Sequence, residues 1–303
     1  MKLAPALSLD QMQVLLTVEE TGSFAAAGRK LGRATSAISY AIDTLESQLG
    51  LDLFDRETRR RPVLSQAGEA VVTEARAVVQ GADMLRARVK ALVEGLEAEV
   101  TLAVDQIVPL DRLARTLRAF HREFPAVPLR IRSEALGGVE RLLRSGESQL
   151  GLGGALHMNT EGLAATQIDA VRIIPVAGAD HPMARAGSNA SARDHLQIVM
   201  ADSVEAGQRS CVVISSSTWR VSDLTSARAL LLAGVGWSIL PEPMVRDDIE
   251  AGRLCRLDMS DFREGQYPLQ IVHKLDTPPG PAGSWLIARL TEEFGTEPAR
   301  STE

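Results

Sequence analysis

Residues 34–46 read ATSAISYAIDTLE. On a 3.6-residue period Ile38, Ile42, Leu45 and Leu49 fall at i, i+4, i+7 and i+11, which makes one buried stripe of a helix. Ser36, Ser39, Tyr40, Asp43 and Ser47 lie toward the other side. A solvated helix face usually carries Lys and Glu, whereas this one offers short hydroxyls and a Tyr. Thr35 or Ser36 can supply the N-cap, and Gly50 ends the helix. Upstream, Ser23 caps a short Ala-rich helix, FAAAGRKL, closed by Gly32. Before that, Leu9, Met12, Leu15, Leu16 and Val18 mark a first helix capped by Ser8 or Asp10, broken at Thr21-Gly22.

Downstream, Leu51, Leu53 and Phe54 return to the core. DRETRRRPVLS then reads as a two-stranded turn carrying Arg56, Arg59, Arg60 and Arg61. Ser65 caps a long helix over about 67–93, with Glu69 in its first turn. Its apolar positions run from Val71 and Val72 through Val78, Leu85 and Val89 to Val93. A lone helix of this length needs a partner for such a stripe, and a second copy of itself is the simplest.

Beyond Gly95 the pattern changes to alternating strands and helices. VTLAV (100–104), a helix over about 110–122, PLRIRS (128–133), GVERLLRSG and QLGLGG give βαβαβ, the pattern of a parallel sheet. The rhythm returns with strands QIVMA (197–201), VVIS (212–215) and WRVSD (219–223), helix TSARALLLAG, strand WSILP, strand QIVHK (270–274) and a closing helix SWLIARLTEEF. ATQIDAVRIIPVA (165–177) reads as the crossing between two similar halves.

The chain has 303 residues, 45% of them hydrophobic, and a formal net charge of −6. Charge is uneven: residues 1–93 hold 12 Lys and Arg against 11 Asp and Glu, and the remainder 21 against 28. A locally balanced to basic end on an acidic chain is compatible with DNA. No apolar run reaches the ~18 residues of a membrane span, and MKLAPALSLDQMQ lacks a signal-peptide core. The expectation is a cytoplasmic protein with no membrane partner. Cys211 and Cys255 fit no metal or redox spacing, and the five histidines are scattered singly, so no metal or cofactor is expected.

Residues 23–49 have a bland reading as an α-hairpin in a helical core. Four features favour a DNA-binding helix-turn-helix instead: a short Ala-rich helix that can be crossed closely, a Gly at the turn, small hydroxyl residues opening the second helix, and an Arg cluster soon after. Base edges in the major groove need donors and acceptors on short side chains, and phosphates need Arg and backbone N–H groups.

Residues 9–70 closely resemble the N-terminus of LysR-type transcriptional regulators. GSFAAAGRKLG, the SAIS core, LESQLG, LDLFDR and LSQAGE carry the resemblance in the family's order and spacing. HPMA (181–184) and LLLAGVGWSILPEPMV (230–245) are similar to landmarks of the family's effector domain. The resemblance implies a multidomain α plus α/β fold: a winged helix-turn-helix (1–66), a linker helix for dimerisation (67–94) and a two-lobed α/β effector-binding domain (95–303). Lobe I takes about 95–168 and 275–295, and lobe II about 169–274. It implies a DNA-binding regulator of promoter DNA, dimeric or tetrameric, modulated by a small-molecule inducer between the lobes. The contact positions of the family map onto Thr35, Ser36, Ser39 and Tyr40, with Arg56 beginning the wing. Many members carry Gln where this chain has Thr35, and Arg or Lys where it has Tyr40, so Tyr40 is the residue expected to shape operator choice.

Ligands of doubly wound sheets bind outside the carboxyl ends of strands. The residues there are Asp105 and Gln106, Glu134, Gly153 and Gly154 in the first lobe, and Ala201, Asp202, Ser222 and Asp223 in the second, where Thr225 and Ser226 open a helix. Taken singly, Asp105, Gln106, Ser222 and Asp223 read more readily as helix caps, and SSST (215–218) reads as a solvated turn rather than a binding loop. An organic or aromatic acid, or a neutral aromatic, fits the crevice, although Asp105, Glu134 and Asp202 disfavour a dianion. The rival readings are an α/β enzyme or a ligand-binding protein with a helical N-terminal module that does not touch DNA. The first lacks a nucleophile elbow, a Walker motif, a GxGxxG after a strand and paired carboxylates. The second lacks the signal peptide of a solute receptor.

Overall fold

The computed structural model describes residues 7–55, 62–135, 137–155, 158–185, 191–201, 212–259, 262 and 265–295. The chain divides into two compact units, Met1–Lys90 and Ala91–Glu303.

The N-terminal unit holds α1 (Leu9–Thr21), α2 (Phe24–Leu31), α3 (Thr35–Leu49) and most of α4 (Gln66–Val93). Ser8, not Asp10, caps α1, in a reciprocal capping box with Gln11. Ser23 caps α2. The N-cap of α3 is Ala34, with no side-chain hydrogen bond, so neither Thr35 nor Ser36 takes the capping role expected of them. Val14, Leu15, Val18, Ile38, Ile42, Leu45 and Leu53 are buried together, with Val72 and Ala75 of α4 closing the core. Each such Leu or Ile contributes roughly 1.5–3 kcal/mol of burial. Phe54 and Leu64 form an antiparallel bridge at the base of the expected wing, and Glu46 accepts from the N–H groups of Leu53 and Phe54, which fixes where that turn leaves α3. Gly68 lies against the Leu53 carbonyl, where a Cβ would come within 2.1 Å, so α4 can pack there only without a side chain. Val78, Leu85, Val89 and Leu92, further along α4, are exposed.

Among the described residues the second unit is built on one nine-stranded sheet, in the order β2-β1-β3-β9-β4-β7-β5-β6, with β8 paired to β4. Its strands are β1 (Val100–Asp105), β2 (Leu129–Glu134), β3 (Leu150–Gly154), β4 (Leu163–Gly178), β5 (Gln197–Met200), β6 (Thr218–Val221), β7 (Trp237–Pro241), β8 (Leu254–Arg256) and β9 (Gly265–Lys274). Its helices are α5 (Leu110–Glu123), α6 (Gly138–Ser145), α7 (Leu224–Leu232), α8 (Glu242–Glu250) and α9 (Pro281–Gly295). β2, β1 and β3 are parallel, as the βαβαβ pattern requires. The crossing segment is a single 16-residue strand, β4. It pairs antiparallel with β9 over its first two thirds and with β7 and β8 at its end, with a register irregularity between Gln167 and Asp169. β4 and β9 thus join a half built on β1–β3 with α5, α6 and α9 to a half built on β5–β8 with α7 and α8. Each half has its own core, around Val104, Phe120, Leu286 and Phe294 in the first and Ile174, Ile198, Leu231, Leu240 and Val245 in the second.

Two expectations fail. VVIS (212–215) is not a strand; the Gln197 side chain takes its backbone groups instead, accepting from the N–H groups of Ile214 and Ser215 and donating to the Val212 carbonyl. SSST is not simply a solvated turn, because Ser215 is buried and its hydroxyl donates to the His195 carbonyl, while Thr218 opens β6. α8 and β8 escaped the sequence reading. Cys255 is an unbridged thiol, and Cys211 lies outside the described residues.

Candidate functional site

Two surfaces gather the candidate residues. The first is the outward face of α3. Its buried stripe faces the core, which leaves Thr35, Ser36 and Tyr40 exposed and Ser39 half-buried. Tyr40 is 74% exposed, an unusual setting for a large ring. The tight α2–α3 turn is set by Gly28, where a Cβ would lie 2.7 Å from the Arg33 carbonyl oxygen. The turn puts Arg33 beside the start of this face, with its guanidinium in a two-pronged bond to Asp10 at 2.8 and 2.7 Å. Arg56, Arg59, Arg60 and Arg61 lie outside the described residues. The face can offer hydroxyl donors and acceptors and one aromatic edge to a groove, next to the exposed start of α3, whose first N–H groups carry no side-chain cap.

The second surface lies outside the carboxyl ends of β1, β2 and β3, next to the start of α7. Asp105 is buried, and its carboxylate accepts from the Ile107 and Gly154 backbone N–H groups. Burial outweighs those bonds and pushes its carboxyl up to about 6. Asp105 is therefore chiefly an internal cap of its turn. Gln106 reaches the other half: its side-chain carbonyl accepts from the Leu224 N–H at 2.9 Å, and its amide donates to the Ser222 carbonyl at 3.4 Å. Asp223 caps α7 by accepting from the N–H and the hydroxyl of Ser226, which hold its carboxyl below the usual range. Glu134 is half-buried and accepts from Arg141. Gly154 is covered by the Tyr267 ring, with a Cβ there falling 1.7 Å from Cε1. Asp202 lies outside the described residues. The structure thus brings Asp105 to Gly154 and Gln106 to Ser222 and to Leu224, the residue after Asp223, while Glu134 is engaged by its own half.

Residues 94–295 match the model of the LysR substrate binding domain, and residues 9–69 that of the bacterial regulatory helix-turn-helix protein, lysR family. The chain belongs to the LysR family. It is a DNA-binding transcriptional regulator with an effector-binding domain, and not an enzyme. LysR-type regulators bind promoter DNA and small-molecule effectors. Among curated relatives, the probable HTH-type transcriptional regulator YhaJ of Escherichia coli is 29% identical over 302 residues, covering 95% of this chain and 97% of its own. The HTH-type transcriptional regulator AceR of Acinetobacter baumannii is 29% identical over 292 residues, covering 93% and 96%. Full-length LysG of Corynebacterium glutamicum, with bound effector Arg, shares the fold at a TM-score of 0.52 and 18% identity, covering 95% of this chain and 98% of that one. CrgA of Neisseria meningitidis does so at 0.50 and 22%, covering 96% and 100%.

Two residues of this LysR-family chain escaped the sequence reading. Tyr267 lies on a strand that crosses both halves, and only the β3–β9 pairing of Gly154 with Leu269 brings it to the crevice. Arg33 has its partner, Asp10, 23 residues away on α1, a pairing that only the tertiary fold shows. Among the described residues no group of three His, Cys, Asp or Glu could hold a metal ion, and no helix is long and apolar enough to cross a membrane.

Proposed function

We propose that α3 reads operator bases through Thr35, Ser36, Ser39 and Tyr40, while Arg56, Arg59, Arg60 and Arg61 of the wing hold flanking phosphates. The observation that carries this reading is the composition of the exposed face of α3, short hydroxyls and one solvent-facing Tyr over a fully apolar inner stripe. Domain limits follow as 1–66 for the winged helix-turn-helix, 67–94 for the linker and 95–303 for the effector domain.

The effector occupies the crevice between the halves, bounded by Asp105, Gln106, Glu134, Gly154, Asp202, Ser222 and Asp223. Gln106 and Asp223 already satisfy the first N–H groups of α7, so an acidic effector gains that helix end only by displacing the Gln106 carboxamide. An organic or aromatic acid carrying one carboxylate fits this better than a dianion, with the Tyr267 ring as an apolar wall. An effector that favours one arrangement of the halves shifts the population toward it. The exposed α4 stripe pairs two chains, and pairing through the effector domains builds a tetramer. The protein then acts in the cytoplasm on promoter DNA.

A gel shift with the intergenic duplex beside the protein's own gene tests the DNA reading, with a retarded band expected at low salt. Thermal-shift screening of monocarboxylic and aromatic metabolites on the full chain tests the effector reading. A raised melting temperature that Gln106→Ala alters supports the crevice, and a hit unchanged by Gln106→Ala and Gly154→Ala contradicts it.

A further inference from the structure

Among the described residues of the N-terminal unit, three cations are paired with acids of α1: Arg33 with Asp10, Lys30 with Glu20 and Arg76 with Glu19. Arg33 differs from the others in position. It occupies the turn between the C-cap of α2, Gly32, and the N-cap of α3, Ala34, two residues before the exposed Thr35. Its backbone is pinned by the bond from its N–H to the Gly28 carbonyl at 2.8 Å. Its side chain is 43% exposed, and that of Asp10 53%. Both oxygens of Asp10 are taken by the two terminal nitrogens, the geometry in which a guanidinium also grips a phosphate.

We propose that Arg33 is a DNA-phosphate ligand that the unbound protein holds on Asp10, so that Asp10 is an internal competitor for the DNA backbone. The inference rests on α3 as the reading helix and adds a contact and a brake to it. Binding exchanges one anion for another on the same fork. An exposed pair in high dielectric is weak enough to be given up, while a phosphate in the duplex also releases condensed counterions. Asp10 left beside the backbone repels it, which lowers affinity for every sequence alike. Because the Arg33 hydrogen bonds hold the Asp10 carboxyl below its usual range, the competitor stays charged throughout the neutral range.

The test is fluorescence anisotropy of the full chain on a labelled 30-base-pair duplex of arbitrary sequence, from roughly 50 to 200 mM salt. Arg33→Ala should reduce the slope of log affinity against log salt by about 0.9, and Arg33→Lys should restore most of it. Asp10→Asn should tighten binding by about two- to fivefold at each salt, and that gain should shrink in the Asp10→Asn, Arg33→Ala double variant. Far-UV circular dichroism melts check that each variant is folded. A wild-type slope in Arg33→Ala, or unchanged or weaker binding by Asp10→Asn, would overturn the proposal and leave the pair as a structural tie between α1 and the turn. A folded wild-type chain that bound no duplex at any salt would instead overturn the DNA reading, and this contact with it.

Discussion

Ala34 at the N-cap of α3 has no side-chain oxygen with which to cap the first N–H groups, and Thr35 and Ser36 reach the helix start with hydroxyls not used for capping. Ser39 follows one turn later on the same side. We expect Ser39→Ala to change preference at a single base position by ~1–3 kcal/mol, whereas Arg56→Ala should weaken all sequences alike and flatten the salt slope by about one unit. Selection on randomised duplexes together with salt titrations separates the two, and identical behaviour would contradict the division of roles. In the crevice, the raised Asp105 carboxyl predicts a pH dependence of stability. A folded-state value of about 6 means its contribution is fully present below the unfolded value of 3.8 and is lost as pH rises through 6. Asp105→Asn should match the wild type near pH 4 and gain on it by roughly 2–3 kcal/mol at pH 7. Chemical denaturation at the two pH values measures this, and a pH-independent difference would contradict it.

Helices and strands were legible where one period governs them. The Ile38/Ile42/Leu45 stripe, the Ser23 cap and the βαβαβ run all appear in the structure because local propensity and burial agree there. VVIS has the β-branched run of a strand, but its backbone bonds are supplied by one distant Gln197 side chain. α8 was hidden by its polarity, since EPMVRDDIE buries little beyond Val245 and Asp248. That Asp248 is fully buried and holds α8 to its neighbours: it accepts from Arg228 Nε of α7 at 2.5 Å and from Arg253 Nε and Nη2 at 2.9 and 2.6 Å. Burial opposes its charge, but the two guanidinium groups prevail and hold the carboxyl below 3.8. Its contribution is therefore present at neutral pH and is lost as pH falls below that value. Asp248→Asn should cost about 1.5–3 kcal/mol at pH 7, read from urea unfolding of the full chain, and a loss under ~0.5 kcal/mol, as for an ordinary surface change, would show the cluster to be incidental.

The two-half plan of the effector unit was visible in the repeated α/β rhythm. Strand ends made Gln106 and Gly154 candidates, yet only tertiary pairing shows that Gln106 spans the halves and that Tyr267 lies on Gly154. Assembly was read from one stripe. Val71, Val72 and Ala75 of α4 join the N-terminal core, while Val78, Leu85, Val89, Leu92 and Val93 of the same stripe are exposed. Leu85→Glu, on a residue 63% exposed, should leave folding intact and shift sedimentation toward a monomer. An unchanged sedimentation coefficient would move the subunit interface elsewhere. Two paired reading heads require paired half-sites, which is the strongest demand the account makes on DNA. Selection of the full chain on a pool of randomised duplexes at about 0.15 M salt tests it most directly. An inverted repeat should be enriched, its half-sites one or a whole number of helical turns apart, and bound at least ~1,000-fold more tightly than random duplex. Enrichment of no sequence, or of a single half-site with no symmetric mate, would contradict it.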